Sequence, residues 1–415
     1  MLREQPDVVR SAYERRGGVE GLDRVIELDA RHRELLSQVE HLRAEQNRAS
    51  KAISRANPEE RGAVIEEVRG LADKLKTLEP EQEQVARLLE EAAAYLPNLP
   101  HESVPDGDSE DDNVVEREVG EPREFEFEPR DHVAIAEGLG FIDGTRAAKT
   151  SGSRFVYLLG VGVMLELALV RFALDHLLER GFTPVIPPVL VRRHAMYGTG
   201  FLPTEEHEFY RSERDDLFLT GTSEVAIAAM HSEEILQESS LPLRYAGFSP
   251  CFRREAGSYG KETKGLIRVH QFDKVEQFSF AHPDDSWDEF QAIRANQEKI
   301  LQALEIPYRV LVMCTGDLGA AAAKKVDNEA WLPGARRHME VTSATNATDY
   351  QARRLQVRFR GPGGTRLVHT LNGTACAVGR MIVALLENHQ RADGGVDIPE
   401  ALRPYTGFDE IKPPG

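Results

Sequence analysis

The feature that most constrains the fold is a seven-residue repeat of apolar residues between positions 22 and 96. In the first half of this segment, apolar residues lie seven apart at Leu28, Leu35, Leu42 and Ala49. In the second half, from Val64 to Leu96, they recur at alternating spacings of four and three. Ala56-Asn57-Pro58 separates the halves, and proline is well suited to open a helix. The repeat therefore predicts two helices paired as an antiparallel coiled-coil hairpin, with its arm at about 22–96.

Three polar residues interrupt the repeat: His32, Gln46 and Gln82. Near the predicted turn lies a basic stripe formed by Arg43, Arg48, Lys51 and Arg55. Such a stripe could meet the phosphates of a nucleic acid. It is also what an ordinary solvated helix face looks like, and the hairpin could equally be a structural or dimerising coiled coil.

The charge of the chain is concentrated in one segment. The net charge of −18 by itself disfavours a nucleic-acid partner. However, His101 to Asp131 contains 13 acidic and three basic residues, a net charge of −10, which leaves −8 for all other residues. Prolines also cluster between Pro97 and Pro129. We therefore predict an acidic linker at 101–131 and keep nucleic-acid binding open.

The residues that follow the linker are typical of a globular domain. Leu165 to Leu178 has a helical pattern, and a last helix is predicted at about Cys376 to His389. Strands are predicted between them at Arg244–Arg253, Val269–Phe280, Tyr308–Met313, Leu355–Phe359 and Thr365–Leu371. Because strands outnumber β-α-β repeats, we expect an α+β fold with a mainly antiparallel sheet flanked by helices. The predicted division is an N-terminal domain at 1–100, the linker, and a second domain at 132–415.

Several classes of protein are disfavoured by what the sequence lacks. No uncharged apolar run approaches the roughly 18 residues of a membrane span. The three cysteines lie far apart, which disfavours a disulfide framework or a zinc site and suggests a reducing cytoplasm. Walker-type glycine loops, dinucleotide fingerprints and His-Glu-x-x-His motifs are missing from the sequence. A nucleotide would have to be bound by another route.

The densest group of polar residues lies between Pro250 and Phe280 and is expected to form a strand, a long loop and a strand. Alternation places Arg253 and Glu255 on one face of the first strand. It places Arg268, Phe272 and Glu276 on one face of the second strand. Guanidinium groups clamp phosphate oxygens, and an aromatic ring offers a stacking surface for a base. The alternative is a salt-bridged pair of surface strands.

Three weaker signals accompany this group. Arg380 lies about one turn into a helix predicted to begin near Ala375, and burying it would be costly without an anionic partner. Thr222 or Ser223 is a candidate N-cap of an apolar helix. Glu340 and Ser343 could supply a carboxylate and a hydroxyl to a metal ion, although strand alternation would place them on opposite faces.

Taken in order, these segments resemble the three signature motifs of class II aminoacyl-tRNA synthetases. Gly181-Phe182-x-x-Val185-x-x-Pro188 is similar to the first motif and Phe252-Arg253-x-Glu255 to the second. Gly379-Arg380 at the start of a helix is similar to the third. Together with the N-terminal hairpin, the set resembles bacterial-type seryl-tRNA synthetases over essentially the whole chain.

The resemblance implies a role for each matching residue. Implied catalytic residues are Arg253, Glu255, Arg268 and Arg380. Implied ATP contacts are Arg253, Arg254, Glu255, Val269, Phe272, Glu340, Val341, Thr342, Ser343 and Arg380. Implied serine contacts are Thr222, Ser223, Glu224, Glu276 and Thr374. Mg²⁺ would be held with ATP by Glu340 and Ser343, and no zinc is expected.

The resemblance also implies partners. The hairpin would grip the long variable arm of tRNA(Ser), and also serve tRNA(Sec), through the stripe of Arg43, Arg48, Lys51 and Arg55. A cytoplasmic homodimer acting on L-serine and ATP is expected. Two alternatives stay open. One is a paralogue that activates an amino acid for a carrier protein or a biosynthetic pathway, or a second synthetase dedicated to a pathway or to resistance. The other is a coiled-coil RNA-binding or scaffold protein with an inactive catalytic domain.

Overall fold

The computed structural model describes residues 2–54, 57, 61–256 and 265–414. The chain divides into two compact units, Met1–Pro97 and Asn98–Gly415.

The first unit is helical. Its helices are α1 (Pro6–Glu14), α2 (Leu22–Ile53) and α3 (Arg61–Ala93). Helices α2 and α3 pack along each other, so the predicted hairpin is confirmed. The apolar residues buried in these two helices belong to the seven-residue repeat or flank it: Leu22, Val25, Leu28, Leu35, Val39, Leu71 and Leu75.

Two polar interruptions of the repeat contact each other. His32 Nε2 and Gln82 Nε2 lie 2.9 Å apart across the α2–α3 pair. A polar pair within an apolar seam disfavours shifted registers, because a shift would leave both groups unpaired. Part of the predicted turn and stripe lies outside the described residues: Ala56 and Pro58 of the turn, and Arg55 of the stripe.

The second unit is built on a large sheet. Its strands are β1 (Val114–Val119), β2 (Ile142–Asp143), β3 (Tyr157–Leu158), β4 (Thr183–Val185), β5 (Leu190–Arg192), β6 (Arg211–Ser212), β7 (Leu217–Leu219), β8 (Ile235–Gln237), β9 (Leu243–Phe252), β10 (Gln271–Ala281), β11 (Tyr308–Val312), β12 (Lys324–Leu332), β13 (Arg337–Thr348), β14 (Arg358–Gly361), β15 (Gly364–Leu367), β16 (His369–Ala377), β17 (Val396–Asp397) and β18 (Glu410–Ile411). Within the described residues, the main sheet has the order β1-β11-β12-β13-β16-β10-β9-β4. Its pairs are antiparallel except that β4 runs parallel to β9. The predicted mainly antiparallel sheet is confirmed.

Helices cover this sheet. They are α4 (His132–Gly138), α5 (Gly144–Ser151), α6 (Val161–Leu178), α7 (Arg193–Thr199), α8 (Glu224–Met230), α9 (Ser286–Ala303), α10 (Tyr350–Leu355), α11 (Val378–Asn388) and α12 (Arg403–Thr406). Apolar side chains of α6, α9 and α11, such as Leu169, Phe290 and Ile382, are fully buried in the main core together with one face of the sheet. A second apolar cluster includes Phe278 and Phe280 of β10, together with residues of α8 and α10.

Two predicted boundaries are wrong. Leu355 ends α10 and does not begin a strand, because Gln356 adopts a left-handed φ of 58° and β14 starts only at Arg358. The last helix starts at Val378 and not near Ala375. The residues before it form β16, whose backbone pairs with β10 on one side and β13 on the other. Pairing with two distant strands outweighs the local helical pattern.

The acidic segment 101–131 carries a strand. Val114–Val119 forms β1, which pairs with β11 at the edge of the main sheet, and Arg294 of α9 forms an ion pair with Glu116. The division of the chain into domains and linker stays a prediction.

Candidate active site

A cleft lined largely by charged side chains lies along the main sheet of the second unit. Residues from β10, β13, β16, α11 and the segments between β9 and β10 line it: Arg253, Glu255, Leu266, Ile267, Arg268, Val269, Phe272, Lys274, Glu340, Val341, Thr374, Ala377, Gly379 and Arg380. The structure thus brings together most of the residues singled out from the sequence.

Arg253 and Glu255 of the second motif, and Arg268 downstream of it, do not lie on strands, contrary to the prediction. Strand β9 ends at Phe252 and β10 begins at Gln271, so Arg253, Glu255 and Arg268 belong to the connection between them. Glu255 adopts a left-handed φ of 51°, a strained conformation for a residue with a side chain. Its carboxylate forms an ion pair with Arg268. Backbone turning, and not strand alternation, directs these side chains into the cleft.

The strand β10 presents an aromatic floor. The guanidinium of Arg253 lies 5.5 Å from the centre of the Phe272 ring, and its Nε donates to the carbonyl of Gly221 at 3.2 Å. This arrangement holds a planar cation beside an aromatic face. Together they can receive a phosphate next to a base.

Arg380 crosses the cleft from the first turn of α11. Its guanidinium donates to the carbonyls of Ile267 at 3.3 Å and Glu340 at 3.0 Å, and lies 3.2 Å from the Glu340 carboxylate. Burial would raise the pKa of Glu340, but the cations Arg380, Lys325 and Arg253 outweigh it and hold that pKa at about 2. Glu340 is therefore an anion on the cleft wall, with a side chain that is 42% exposed.

A bulge in β13 places Glu340 and Ser343 on the same face of the strand, although regular alternation would place them on opposite faces. Pairing shifts register here, because Glu340 lies opposite Glu329 while Thr342 lies opposite Asn328. The extra residue reverses the alternation, so Glu340 and Ser343 share one face. A carboxylate and a hydroxyl on one face are hard oxygen ligands of the kind Mg²⁺ takes. These residues fit the ion that the sequence implied.

Asp327 lies beside this pair on β12. It is opposite Ser343 in the sheet, and its carboxylate forms a 3.1 Å ion pair with Lys325. Burial raises the pKa of Asp327 to about 6, against the opposing charge of Lys325.

A second, deeper group of charges lies further along β10. Glu276 Oε2 accepts from Lys274 Nζ at 2.6 Å and from Thr374 Oγ1 at 3.0 Å. Lys274 Nζ also donates to Thr222 Oγ1 at 2.8 Å. All four residues are buried. A buried ion pair of this kind is stable only while both partners are present.

Glu224, at the start of α8, is the second carboxyl of this pocket. Its Oε1 accepts from the side-chain amides of Gln351 and Asn372, each at 2.7 Å. Burial, and then the charge of Glu276, raise the pKa of Glu224 to about 7. The side-chain amide of Gln351 and the charges of Lys274 and Arg253 oppose this rise.

Three predicted contacts make other hydrogen bonds, Ser223 and Thr342 through their side chains and Arg254 through its backbone. Ser223 donates its hydroxyl to the carbonyl of Gly247 at 3.3 Å, and it makes no side-chain cap of α8. Thr342 accepts from Asn328 Nδ2 at 2.9 Å. Arg254 donates its backbone N–H to the carbonyl of Glu208 at 2.8 Å. Any direct part of these residues in ligand binding stays a prediction.

Sequence reasoning missed Lys274, Lys325 and Asp327. Lys274 had a usable signal, because it lies midway between Phe272 and Glu276 at strand spacing. Lys325 and Asp327 had none, since only the pairing of β12 with β13 places them near Glu340.

The basic stripe of the hairpin is partly engaged in ion pairs. Arg43 lies 2.7 Å from Glu79 of α3. Arg48 and Lys51 are exposed, and no described residue forms an ion pair with either. Among the described residues, no helix is long and apolar enough to cross a membrane.

Comparison with protein families matches both units. Residues 1–100 match the model of the seryl-tRNA synthetase N-terminal domain, and residues 207–389 match the tRNA synthetase class II core domain (G, H, P, S and T). Curated relatives include the serine–tRNA ligase of Thermobifida fusca, 50% identical over 99% of this chain and 98% of the relative. The serine–tRNA ligase of Micrococcus luteus is 51% identical over 98% of this chain and 97% of the relative.

Solved structures agree. The seryl-tRNA synthetase of Pyrococcus horikoshii complexed with ATP superposes with a TM-score of 0.93 and 45% identity, covering 100% of this chain and 99% of that one. The cytoplasmic serine-tRNA ligase of Naegleria fowleri in complex with AMP gives a TM-score of 0.88 at 34% identity, covering 99% and 96%.

Proposed function

The chain belongs to the seryl-tRNA synthetase family, and we propose that it activates L-serine with ATP and transfers serine to the 3′ end of tRNA(Ser). The observation that carries the proposal is a cleft of arginines and an aromatic ring suited to a nucleotide, next to buried carboxyl groups suited to a small ammonium and hydroxyl. The two are joined by Lys274 and Thr374, which line the cleft and also contact Glu276.

ATP binding is supported by the cations of the cleft and by the relative that was solved with ATP. Arg253 would hold the α-phosphate, and Phe272 would stack under the adenine, with Arg380 on the other side. Glu255 would accept from the adenine amino group. Arg268 would contact the phosphates once its ion pair with Glu255 rearranges.

The Mg²⁺ that accompanies ATP would be held by Glu340 and Ser343. When bound, it would neutralise charge on the phosphate oxygens.

Serine would occupy the deeper group of charges. Its ammonium would be received by Glu224 and Thr222, and its hydroxyl by Glu276 and Thr374. The Thr374 hydroxyl donates to Glu276, so toward the ligand it can only accept. The single hydrogen of the serine hydroxyl would therefore be donated to Glu276, with the Thr374 oxygen as the neighbouring acceptor.

Activation needs positioning and cations. The serine carboxylate attacks the α-phosphorus, a new P–O bond forms, and pyrophosphate leaves with the electron pair. The carboxylate is ionised at neutral pH, so no general base is required. In-line positioning and stabilisation of phosphate charge by arginines supply the catalysis. The terminal ribose hydroxyl of the tRNA then attacks the adenylate carbonyl, and AMP leaves.

The same proposal assigns the first unit to tRNA binding and the molecule to a cytoplasmic homodimer. The exposed cations Arg48 and Lys51 would contact phosphates of the long variable arm, with Arg43 and Arg55. tRNA(Sec), which the sequence resemblance also implied, would be a second acceptor. Dimerisation is supported by apolar side chains exposed near the first motif, among them Ile186 at 81%.

ATP–pyrophosphate exchange and tRNA charging together test the proposal. We expect exchange with serine and little with threonine, alanine, cysteine or glycine. In the Arg48→Glu/Lys51→Glu variant, we expect exchange to be unchanged and kcat/KM for charging to fall about tenfold or more, because phosphate contacts are lost.

The matched control reverses two exposed charges far from the turn, Arg24→Glu/Arg87→Glu, and should charge tRNA normally. Exchange with a different amino acid, or serine exchange without charging of any tRNA, would instead indicate a paralogue that acts on another acceptor.

A further inference from the structure

Lys274 is the one buried cation in contact with Glu276 among the described residues, and the proposed function gives it no role although it lines the cleft. Its side chain is 7% exposed, and its ammonium lies between Glu276 Oε2 and Thr222 Oγ1. Both of these residues belong to the site proposed for serine. Burying a lysine is unfavourable unless its charge is paired, so this position calls for an explanation.

The geometry at Glu276 supplies one. Oε2 is occupied twice, by Lys274 and by Thr374. Among the described residues, no hydrogen bond is formed to Oε1, although the side chain is only 3% exposed. The carboxylate is thus fixed through one oxygen, and the other is left to accept a donor.

The charge of Lys274 also decides what Glu276 can do. Glu224 is close enough for the charge of Glu276 to raise its pKa. Two neighbouring buried carboxylates repel each other. The ammonium of Lys274, 2.6 Å from Glu276 Oε2, offsets that repulsion and holds the Glu276 side chain in place.

We propose that Lys274 is a specificity-determining positioning residue: through its contact with Oε2 it orients the Glu276 carboxylate so that the free Oε1 requires the hydroxyl of serine. The inference rests on the proposed function. Alanine would leave Oε1 buried without a donor, and such a site rejects an analogue that lacks the hydroxyl. Lys274 itself need not touch that hydroxyl.

The test compares Lys274→Met with Lys274→Arg by ATP–pyrophosphate exchange with serine and with alanine. In Lys274→Met, we expect the preference for serine over alanine, as a ratio of kcat/KM, to fall about tenfold or more. Lys274→Arg keeps the charge and should retain most of the preference.

A double-mutant cycle with Glu276→Gln identifies the route of the effect. If Lys274 acts through the charge of Glu276, Lys274→Met should change the serine preference much less in the Glu276→Gln background than in the native one. Effects that multiply independently would overturn the proposal. So would an unchanged preference in Lys274→Met.

The pH dependence of KM for serine separates the charge of Lys274 from its packing. A variant that only disturbed packing would leave this pH dependence unchanged. Lys274 and Arg253 lower the pKa of Glu224, whereas Glu276 raises it, and the other contacts are the neutral amides of Gln351 and Asn372. In Lys274→Met, the pH below which serine binding weakens should therefore rise. If Lys274→Met does not fold, Lys274→Gln keeps a hydrogen-bond donor without the charge and should show the same loss of preference.

The outcomes separate this inference from the proposed function. A native enzyme without serine-dependent exchange would contradict the proposed function. Serine-dependent exchange in the native enzyme, with discrimination unaffected in Lys274→Met and Lys274→Gln, would contradict only the role of Lys274.

Discussion

At the scale of residues, Glu224 shows how burial moves the pKa of a carboxyl group into the neutral range. The side chain lies at the start of α8 with two amide donors and a carboxylate neighbour. Desolvation and Glu276 together raise its pKa to about 7. Above that pH, the empty pocket holds an anion that can pair with a substrate ammonium, and below it the pocket holds a neutral acid.

Serine binding should therefore weaken on acidification. We expect KM for serine to rise several-fold as the pH falls from about 8 to about 6 at saturating ATP, since Glu224 takes up a proton over that range. The measurement is exchange kinetics across pH. Glu224→Gln serves as the control and should give a high KM that varies little with pH. A native KM that stays constant would contradict this assignment.

At the scale of elements, strand irregularities decide the chemistry of the site. The bulge in β13 puts Glu340 and Ser343 on one face, and a second irregularity in β10 lies between Val275 and Glu276.

Helix α6 and strand β10 share a pair of carboxyl groups, because Glu166 of α6 hydrogen-bonds to Asp273 of β10. Burial, then Asp273, raise the pKa of Glu166 to about 7, and burial raises that of Asp273.

This carboxyl pair should make stability depend on pH. The folded pKa of Glu166 exceeds its unfolded value, so the stabilisation is complete below about pH 4.5 and is lost as the pH rises through about 7. At pH 8, Glu166→Gln should raise Tm by about 2 °C or more, because the amide removes the repulsion.

At pH 5, the melting temperatures of Glu166→Gln and the native protein should nearly coincide. Glu137→Gln, an exposed change of the same charge on α4, should not show this pattern. A lower Tm for Glu166→Gln at pH 8 would argue against a shared proton. Differential scanning calorimetry at both pH values measures the melting temperature of each protein.

At the scale of the whole molecule, the second unit exposes apolar side chains where the first motif and α6 meet the surface. Ile186 is 81% exposed, Leu167 54%, Met164 48% and Leu190 47%, and α6 packs against β4. Apolar residues concentrated on one surface mark an interaction site. The family resemblance predicts that a second copy of the chain covers them.

Sedimentation equilibrium tests this prediction. We expect a dimer for the native protein and a monomer for Leu167→Asp/Ile186→Asp, because each charge would be buried without a partner in the interface. Ile65→Asp, at an apolar residue of α3 that is 49% exposed, should leave the dimer intact. A native monomer would contradict the predicted homodimer.

Much of the fold was predictable because its signals are local. The seven-residue repeat specified the hairpin, and the residues buried in it belong to the repeat or flank it. Alternation and turn residues indicated an antiparallel sheet. Boundaries failed where a distant strand competed with local preference, as at the end of β16, where Ala375–Ala377 were predicted to start a helix but extend the strand that pairs with β10.

For the site, the sequence by itself determined which residue types are present: Arg253, Glu255, Phe272 and Arg380 could all be named from it. Only the tertiary structure decided how they act. It moved Arg253 and Glu255 off the strand, reversed the alternation at Glu340, and paired Lys274 with Glu276. The physical reason is range: side-chain periodicity is set by neighbours in the chain, whereas burial, bulges and charge pairing depend on residues tens to hundreds of positions apart.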